Sequence, residues 1–281
     1  MRLLAIDIGG TKIAAGVVSE AGVLEVRSTA PTPAAEPADV LFAAITGLVD
    51  GLTTPAVDAV GVGCGGPMTR GGEQVSPLNI PAWRGFPLLA RLTEWADRPV
   101  WIDNDAKALA LGEGWVGAAR GCDNFIGMVV STGVGGGIVS DGRLLDGADG
   151  NAGHVGHVTV EPDGAACVCG ARGCLEAEAS GTAIARITGR PAADAPPEVV
   201  ARTGTLVGRG VAIVANLLDL DLAVVAGSVA LGFGAPFFAA AQAEIDARCR
   251  IEFARGMRIM PGALGADGPL IGAAAIALRH L

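Results

Sequence analysis

The chain has 281 residues, 51% of them hydrophobic, and its 20 Lys and Arg against 29 Asp and Glu give a formal net charge of −9. That length accommodates two modest domains or one large one, and the acidic balance argues against nucleic acid as a partner, because phosphate backbones are met by a basic stripe. A membrane span is not expected either: the most apolar late stretch, Val211 to Val225, is broken by Asn216, Asp219 and Asp221.

Met1-Arg2 leads straight into an apolar run with no leader pattern, so a cytoplasmic location is expected. Leu3 to Ile6 reads as a strand, Gly9-Gly10-Thr11 as a tight turn and Ile13 to Val18 as the returning strand. Glycines let backbone N–H groups approach phosphate oxygens, Thr11 adds a hydroxyl and Lys12 a charge. Asp7, at the end of the strand, can hold Mg²⁺ through water. Taken alone, the same residues also make an ordinary glycine hairpin.

Val23 to Thr29 reads as a further strand, Pro31 to Pro37 as a loop, and Val40, Leu41, Ala44, Ile45 and Leu48 as one helix face. A strand from Ala56 to Val62 ends in Gly61-Val-Gly-Cys-Gly-Gly66-Pro67. The glycines fit a dinucleotide-binding pattern literally. Pro67 follows at once, however, and no amphipathic helix begins there to receive a pyrophosphate, so a plain turn or cleft-lining loop is expected. Asn79-Ile-Pro-Ala-Trp83 precedes a short helix from Phe86 to Ala96. The strand Val100 to Ile102 runs into Asp103-Asn104-Asp105 and then a helix from Ala106 to Trp115. Capping that helix takes one of the three polar residues, which leaves one or two to face a ligand.

At Phe125 the opening pattern returns: apolar Phe125 to Val130, the turn Ser131-Thr132-Gly133-Val134-Gly135-Gly136-Gly137, then Ile138-Val139. Two such hairpins heading two halves predict a duplicated α/β domain with a ligand between the copies. A third glycine turn, Ala226-Gly227-Ser228, follows a strand from Leu222 to Val225 and leads toward a helix from Ala235 to Arg248; it either sits on an adenosine or caps the strand. Arg190 to Pro197 is the best linker candidate.

Gly153-His154-Val155-Gly156-His157 is followed by Cys167-Val-Cys169-Gly-Ala-Arg-Gly-Cys174-Leu-Glu176. Cys167, Cys169 and Cys174 with His157 make an S₃N set of the kind Zn²⁺ takes, the alternative being reduced thiols without metal. Four protein ligands close the coordination sphere, so the ion would be structural. If one nitrogen of His157 binds the metal, the other is fixed in direction and can face a substrate.

Together these motifs resemble the ROK sugar kinases. The resemblance rests on Asp7-Ile-Gly-Gly-Thr-Lys12, Asn79-Ile-Pro-Ala-Trp83, Asn104-Asp105, Ser131 to Gly137, and His157 with the cysteine knuckle through Glu176. It implies an actin/hexokinase-like (ribonuclease H-like) duplicated two-domain α/β fold with an interdomain cleft. Residues 1–117 would form a small N-terminal domain on which helix 270–281 packs, and residues 118–269 a larger one containing zinc. The implied activity is Mg-dependent transfer of the γ-phosphoryl group of ATP to the 6-hydroxyl of a hexose or N-acetylhexosamine, by a homodimer or homotetramer. Carried over by position, Asp105 is the catalytic base, and Asn79, Asn104, His154, His157 and Glu176 contact the sugar. Gly9, Gly10, Thr11, Thr132, Gly133 and Gly227 contact the nucleotide, together with Asp7 and Lys12.

Two departures stand out. Hexokinase-type members carry Glu where this chain has His154, exchanging a pure acceptor for a ring with one donor and one acceptor. Its Ala-Gly-His-x-Gly-His setting looks like the N-acetylmannosamine kinases, whereas Asn79 to Trp83 looks like the glucokinases. The chain also reads as trimmed around Arg190 to Leu206. Of the rival readings, a ROK-type repressor would place a DNA-binding helix pair before the first hairpin, which here starts at residue 3; a non-catalytic sugar sensor would have no evident reason to keep Asp105.

Overall fold

The computed structural model describes residues 1–52 and 56–281. Strand β1 (Arg2–Ile8) is buried from Leu3 to Ile6 because it runs through the middle of a sheet. The turn after Ile8 returns the chain as β2 (Lys12–Ser19), antiparallel to β1 from Arg2↔Ser19 to Ile8↔Ile13. β3 (Leu24–Pro31) continues the meander and alternates half-buried with exposed residues, as an edge strand does. α1 (Ala38–Asp50) buries Leu41, Phe42, Ile45 and Val49. β4 (Ala59–Cys64), buried throughout, pairs parallel with β1. After α2 (Leu88–Ala96), β5 (Val100–Asn104) pairs parallel with β4, and α3 (Asp105–Val116) follows without a loop.

The second sheet begins with β6 (Phe125–Val130), β7 (Val134–Ser140) and β8 (Arg143–Leu144), again an antiparallel meander. Then come α4 (Leu175–Ala179), α5 (Gly181–Thr188), α6 (Pro197–Leu218), β9 (Leu222–Ala226), α7 (Ser228–Phe233), α8 (Ala235–Arg248) and β10 (Arg258–Pro261). β9 pairs parallel with β6, and β10 with β9. The sheet orders are β3-β2-β1-β4-β5 and β10-β9-β6-β7-β8. Read from the other edge, the second is β8-β7-β6-β9-β10, the first order with the same parallel and antiparallel pairings. The duplication expected from the two glycine hairpins is therefore present strand for strand.

The chain divides into two compact units: Met1–Gly117, Asp146–Ala152 and Leu264–Leu281 in the first, Ala118–Leu145 and Gly153–Ala263 in the second. In the first, α9 (Gly268–Leu278) packs on one sheet face, its Leu270, Ala273, Ala274 and Ala277 against Leu3, Ala5 and Ala59. The opposite face buries Ile6, Ile8, Leu41, Trp83 and Leu92. The second unit has its own core, including Ile126, Met128, Val211, Val225 and Phe237. No helix among the described residues is long and apolar enough to cross a membrane.

The linker expected at Arg190 to Pro197 is instead a 3-10 turn (Ala192–Asp194) leading into α6, which begins at Pro197 and runs for 22 residues. Proline suits the first helical position. Gly204 and Gly208 weaken the helical signal, yet a Cβ at either would come 2.3 Å from a carbonyl of α8, Phe237 O or Ala241 O. They are the price of bringing two helix backbones into contact. The apolar run 211–225 splits between this helix and β9. After Cys64 no α-helix begins until α2, so the Gly61 to Gly66 segment is not a dinucleotide turn.

Candidate active site

In the first unit the parallel strands β1, β4 and β5 end at one edge of the sheet. Their register sets Asp7 opposite Gly63, Gly63 opposite Asp103, and Cys64 opposite Asn104. A Cβ at Gly63 would lie at ordinary contact distance from both acids, 3.6 Å from Asp7 Oδ1 and 3.7 Å from Asp105 Cα, so the two acidic residues flank this one position. In the neighbouring turn Gly9 N donates to Lys12 O at 3.1 Å, and Gly9 O accepts from Thr32 Oγ1 at 2.6 Å. A Cβ at Gly10 would fall 2.4 Å from that of Asn79, which fixes Asn79 against the turn. Asp7, Gly9, Gly10, Thr11, Lys12, Asn79, Asn104 and Asp105 thus gather where open α/β sheets bind ligands, beyond the carboxyl ends of their strands.

Burial, and then the charge of Asp105, push the Asp7 carboxyl up to about 7, with Lys12 opposing. The same burial and the same two acids hold the Cys64 thiol well above its usual range. Asn104 is the cap of α3: its Oδ1 accepts from Ala106 N at 3.0 Å. Asp105 Oδ1 accepts from the same N–H at 2.8 Å. Asp103 is spent on Lys107, whose Nζ lies 2.8 Å from its Oδ1. Two neighbouring carboxylates, one raised by burial and by the charge of the other, are a donor set that suits a hard divalent cation.

In the second unit the turn between β6 and β7 is held from several sides. Ser131 Oγ lies 2.9 Å from Ser228 Oγ, next to Gly227, whose φ of +99° suits glycine. Ser131 O accepts from Gly181 N at 2.7 Å, and Thr132 O from Thr182 Oγ1 at 3.0 Å. Thr132, Gly133 and Gly227 are thereby brought together. Glu176 joins them: its Oε2 accepts from Val134 N at 2.9 Å. The rings of His154 and His157 lie 6.3 Å apart and nearly parallel, at 13°.

The ligand atoms of His157, Cys167, Cys169 and Cys174 all lie within 4.8 Å of one another. His157 Nδ1 faces Cys167 Sγ at 3.7 Å, and Cys169 Sγ faces Cys174 Sγ at 3.7 Å. Burial, followed by hydrogen bonding with the other two thiols, pushes Cys174 up to about 12. The three sulfurs and the histidine nitrogen converge closely enough to share one ion, and an S₃N set in this space suits tetrahedral Zn²⁺. With Nδ1 on the sulfur side, Nε2 is the nitrogen of His157 available to another partner.

Sequence reading missed Lys107. It is buried two residues after Asp105 and reaches Asp103, Asp146 Oδ1 at 3.0 Å and Gly150 O at 3.1 Å. A signal was present: Lys107 is one of two lysines in the chain and follows Asp103 at the four-residue spacing that pairs charges on a helix.

A glucokinase of Thermotoga maritima is 41% identical over 192 residues, covering 66% of this chain and 59% of its own length. An N-acetylmannosamine kinase of Citrobacter koseri is 38% identical over 250 residues, covering 83% and 86%. The structure of a ROK family glucokinase from Streptomyces griseus, in complex with glucose and AMPPNP, superposes with a TM-score of 0.85 at 30% identity, covering 99% of this chain and 100% of that one. The family pattern described as ROK matches residues 3–280, and the chain belongs to the ROK family.

Proposed function

We propose that this protein is an ATP-dependent sugar kinase that phosphorylates the 6-hydroxyl of a hexose or N-acetylhexosamine. The observation that carries the reading is that Asp105, at the head of α3, neighbours Asp7, the acid that leads into the Gly9-Gly10 turn against which Asn79 packs. The kinase names of its relatives support it.

Phosphoryl transfer asks a protein mainly to position two reactants and to balance charge. In the proposed reaction the sugar oxygen bonds to the γ-phosphorus, the bond from that phosphorus to the β–γ bridging oxygen breaks, and ADP leaves. Asp105 orients the sugar hydroxyl and takes its proton late in the transfer. Asn79, Asn104, His154 and the free edge of His157 hold the remaining hydroxyls, and the two glycine turns offer N–H groups to phosphate oxygens. Bound Mg²⁺, held by Asp7, would neutralise phosphate charge. His154 is the residue expected to discriminate between a plain and an N-acetylated sugar, since an imidazole N–H can meet an acetamide carbonyl.

The test is ADP release with Mg-ATP across glucose, N-acetylmannosamine, N-acetylglucosamine, mannose, fructose and allose. Turnover on at least one is expected. Asp105→Asn should then lower kcat about 100-fold or more while circular dichroism stays unchanged. No turnover on any sugar would overturn the kinase in favour of a sugar sensor.

A further inference from the structure

Glu176, a sugar contact by its family resemblance, has one carboxylate oxygen engaged within the second unit. Oε2 accepts the N–H of Val134, the residue that ends the second glycine turn and opens β7. Gly133 leaves room for this approach: a Cβ there would stand 2.6 Å from Glu176 Oε2. The carbonyl side of Val134 is packed as well, since a Cβ at Gly156, beside His157, would come 2.2 Å from Val134 O. α5 adds the bonds from Gly181 N to Ser131 O and from Thr182 Oγ1 to Thr132 O. Glu176 belongs to the first turn of α4, and Cys174 is the N-cap of that helix. The glycine turn, the metal knuckle and the histidine segment therefore meet at one carboxylate.

We infer that Glu176 is a positioning residue for the nucleotide turn: by fixing the Val134 N–H it sets the backbone of residues 131–134, so nucleotide affinity depends on it before any sugar is present. The inference rests on the kinase reading and adds to it. A turn whose N–H groups receive phosphate must hold them in one direction, and a charge-assisted hydrogen bond from outside the hairpin does so more strongly than the glycine-rich backbone can alone. A sugar that also draws on Glu176 is then linked to the nucleotide through it, and that linkage is reciprocal.

The test measures the Kd of ADP by calorimetry with no sugar in solution, on zinc-replete protein whose metal content and circular dichroism match the wild type. Glu176→Ala is expected to weaken ADP about tenfold and to speed amide exchange at Val134. Glu176→Gln keeps an acceptor oxygen at the same reach and should remain within about threefold of wild type. Should the alanine variant not fold, Glu176→Asp keeps the charge but falls one methylene short, and the same weakening is expected. Unchanged ADP affinity in the alanine or aspartate variant overturns the inference and leaves the kinase standing. A wild-type protein that binds no ADP overturns the kinase reading and this inference together.

Discussion

At the scale of single residues, Asp7 carries the clearest titration signature. Burial and Asp105 raise it to about 7, so the folded protein keeps a proton that the unfolded chain gives up in the ordinary carboxylate range. Between those two values the native state binds more protons than the unfolded one, and the stability difference falls as pH rises. Metal-free wild type should therefore lose stability between about pH 5 and about pH 8 by more than Asp7→Asn does, as read by urea unfolding. Equal losses in the two proteins would mean that Asp7 is ionised throughout. Bound Mg²⁺ should reverse the trend, because a cation favours the charged form; its affinity is expected to weaken as pH falls below about 7.

At the scale of elements, the first turn of α3 does two jobs. Asn104 and Asp105 both accept from the N–H of Ala106, while Asp103, near the end of β5, and Lys107 form an ion pair four residues apart. Lys107 extends that pair to Asp146 and Gly150, and Arg279 reaches Asp146 from the C-terminal end at 2.9 Å. The segment Asp146–Ala152 is thus tied to the first unit by one buried ammonium and one guanidinium. Lys107→Met strips the nearer of two cationic partners from a nearly buried Asp103, leaving it Arg279 Nη1 at 3.6 Å, and should destabilise the protein by about 2 kcal/mol in urea unfolding. Arg279 remains beside Asp146, so the loss should fall short of abolishing the fold. An unchanged midpoint would show that Arg279 alone holds the segment.

At the scale of the whole molecule, each copy of the duplicated sheet has a separate core, and the probes are unevenly divided. All four tryptophans, Trp83, Trp95, Trp101 and Trp115, lie in the first unit, and the cysteine knuckle lies in the second. We expect about one equivalent of zinc per chain and a structural role for it. Removing it with a strong chelator should lower the circular-dichroism midpoint of the second unit by about 10 °C or more. The tryptophan fluorescence transition should move far less. Coincident shifts in both signals would show that the metal stabilises the chain as one cooperative body, and no shift in either would leave the knuckle as reduced thiols.

What the sequence determined by itself was local and periodic. Glycine turns flanked by apolar runs announced both hairpins, because strand and turn chemistry act over a few residues. The spacing of three cysteines and a histidine foretold their convergence, since a short knuckle closes on itself. Tertiary structure alone decided what depended on distant partners. α6 was hidden by Gly204 and Gly208, whose purpose is visible only once α8 lies across them. Lys107 needed Asp146, 39 residues away, to become an anchor, and Glu176 needed the turn 42 residues before it to become a brace. Residues whose role is set by a contact across the fold carry no periodic mark in the chain, because the free energy that selects them exists only when both partners are in place.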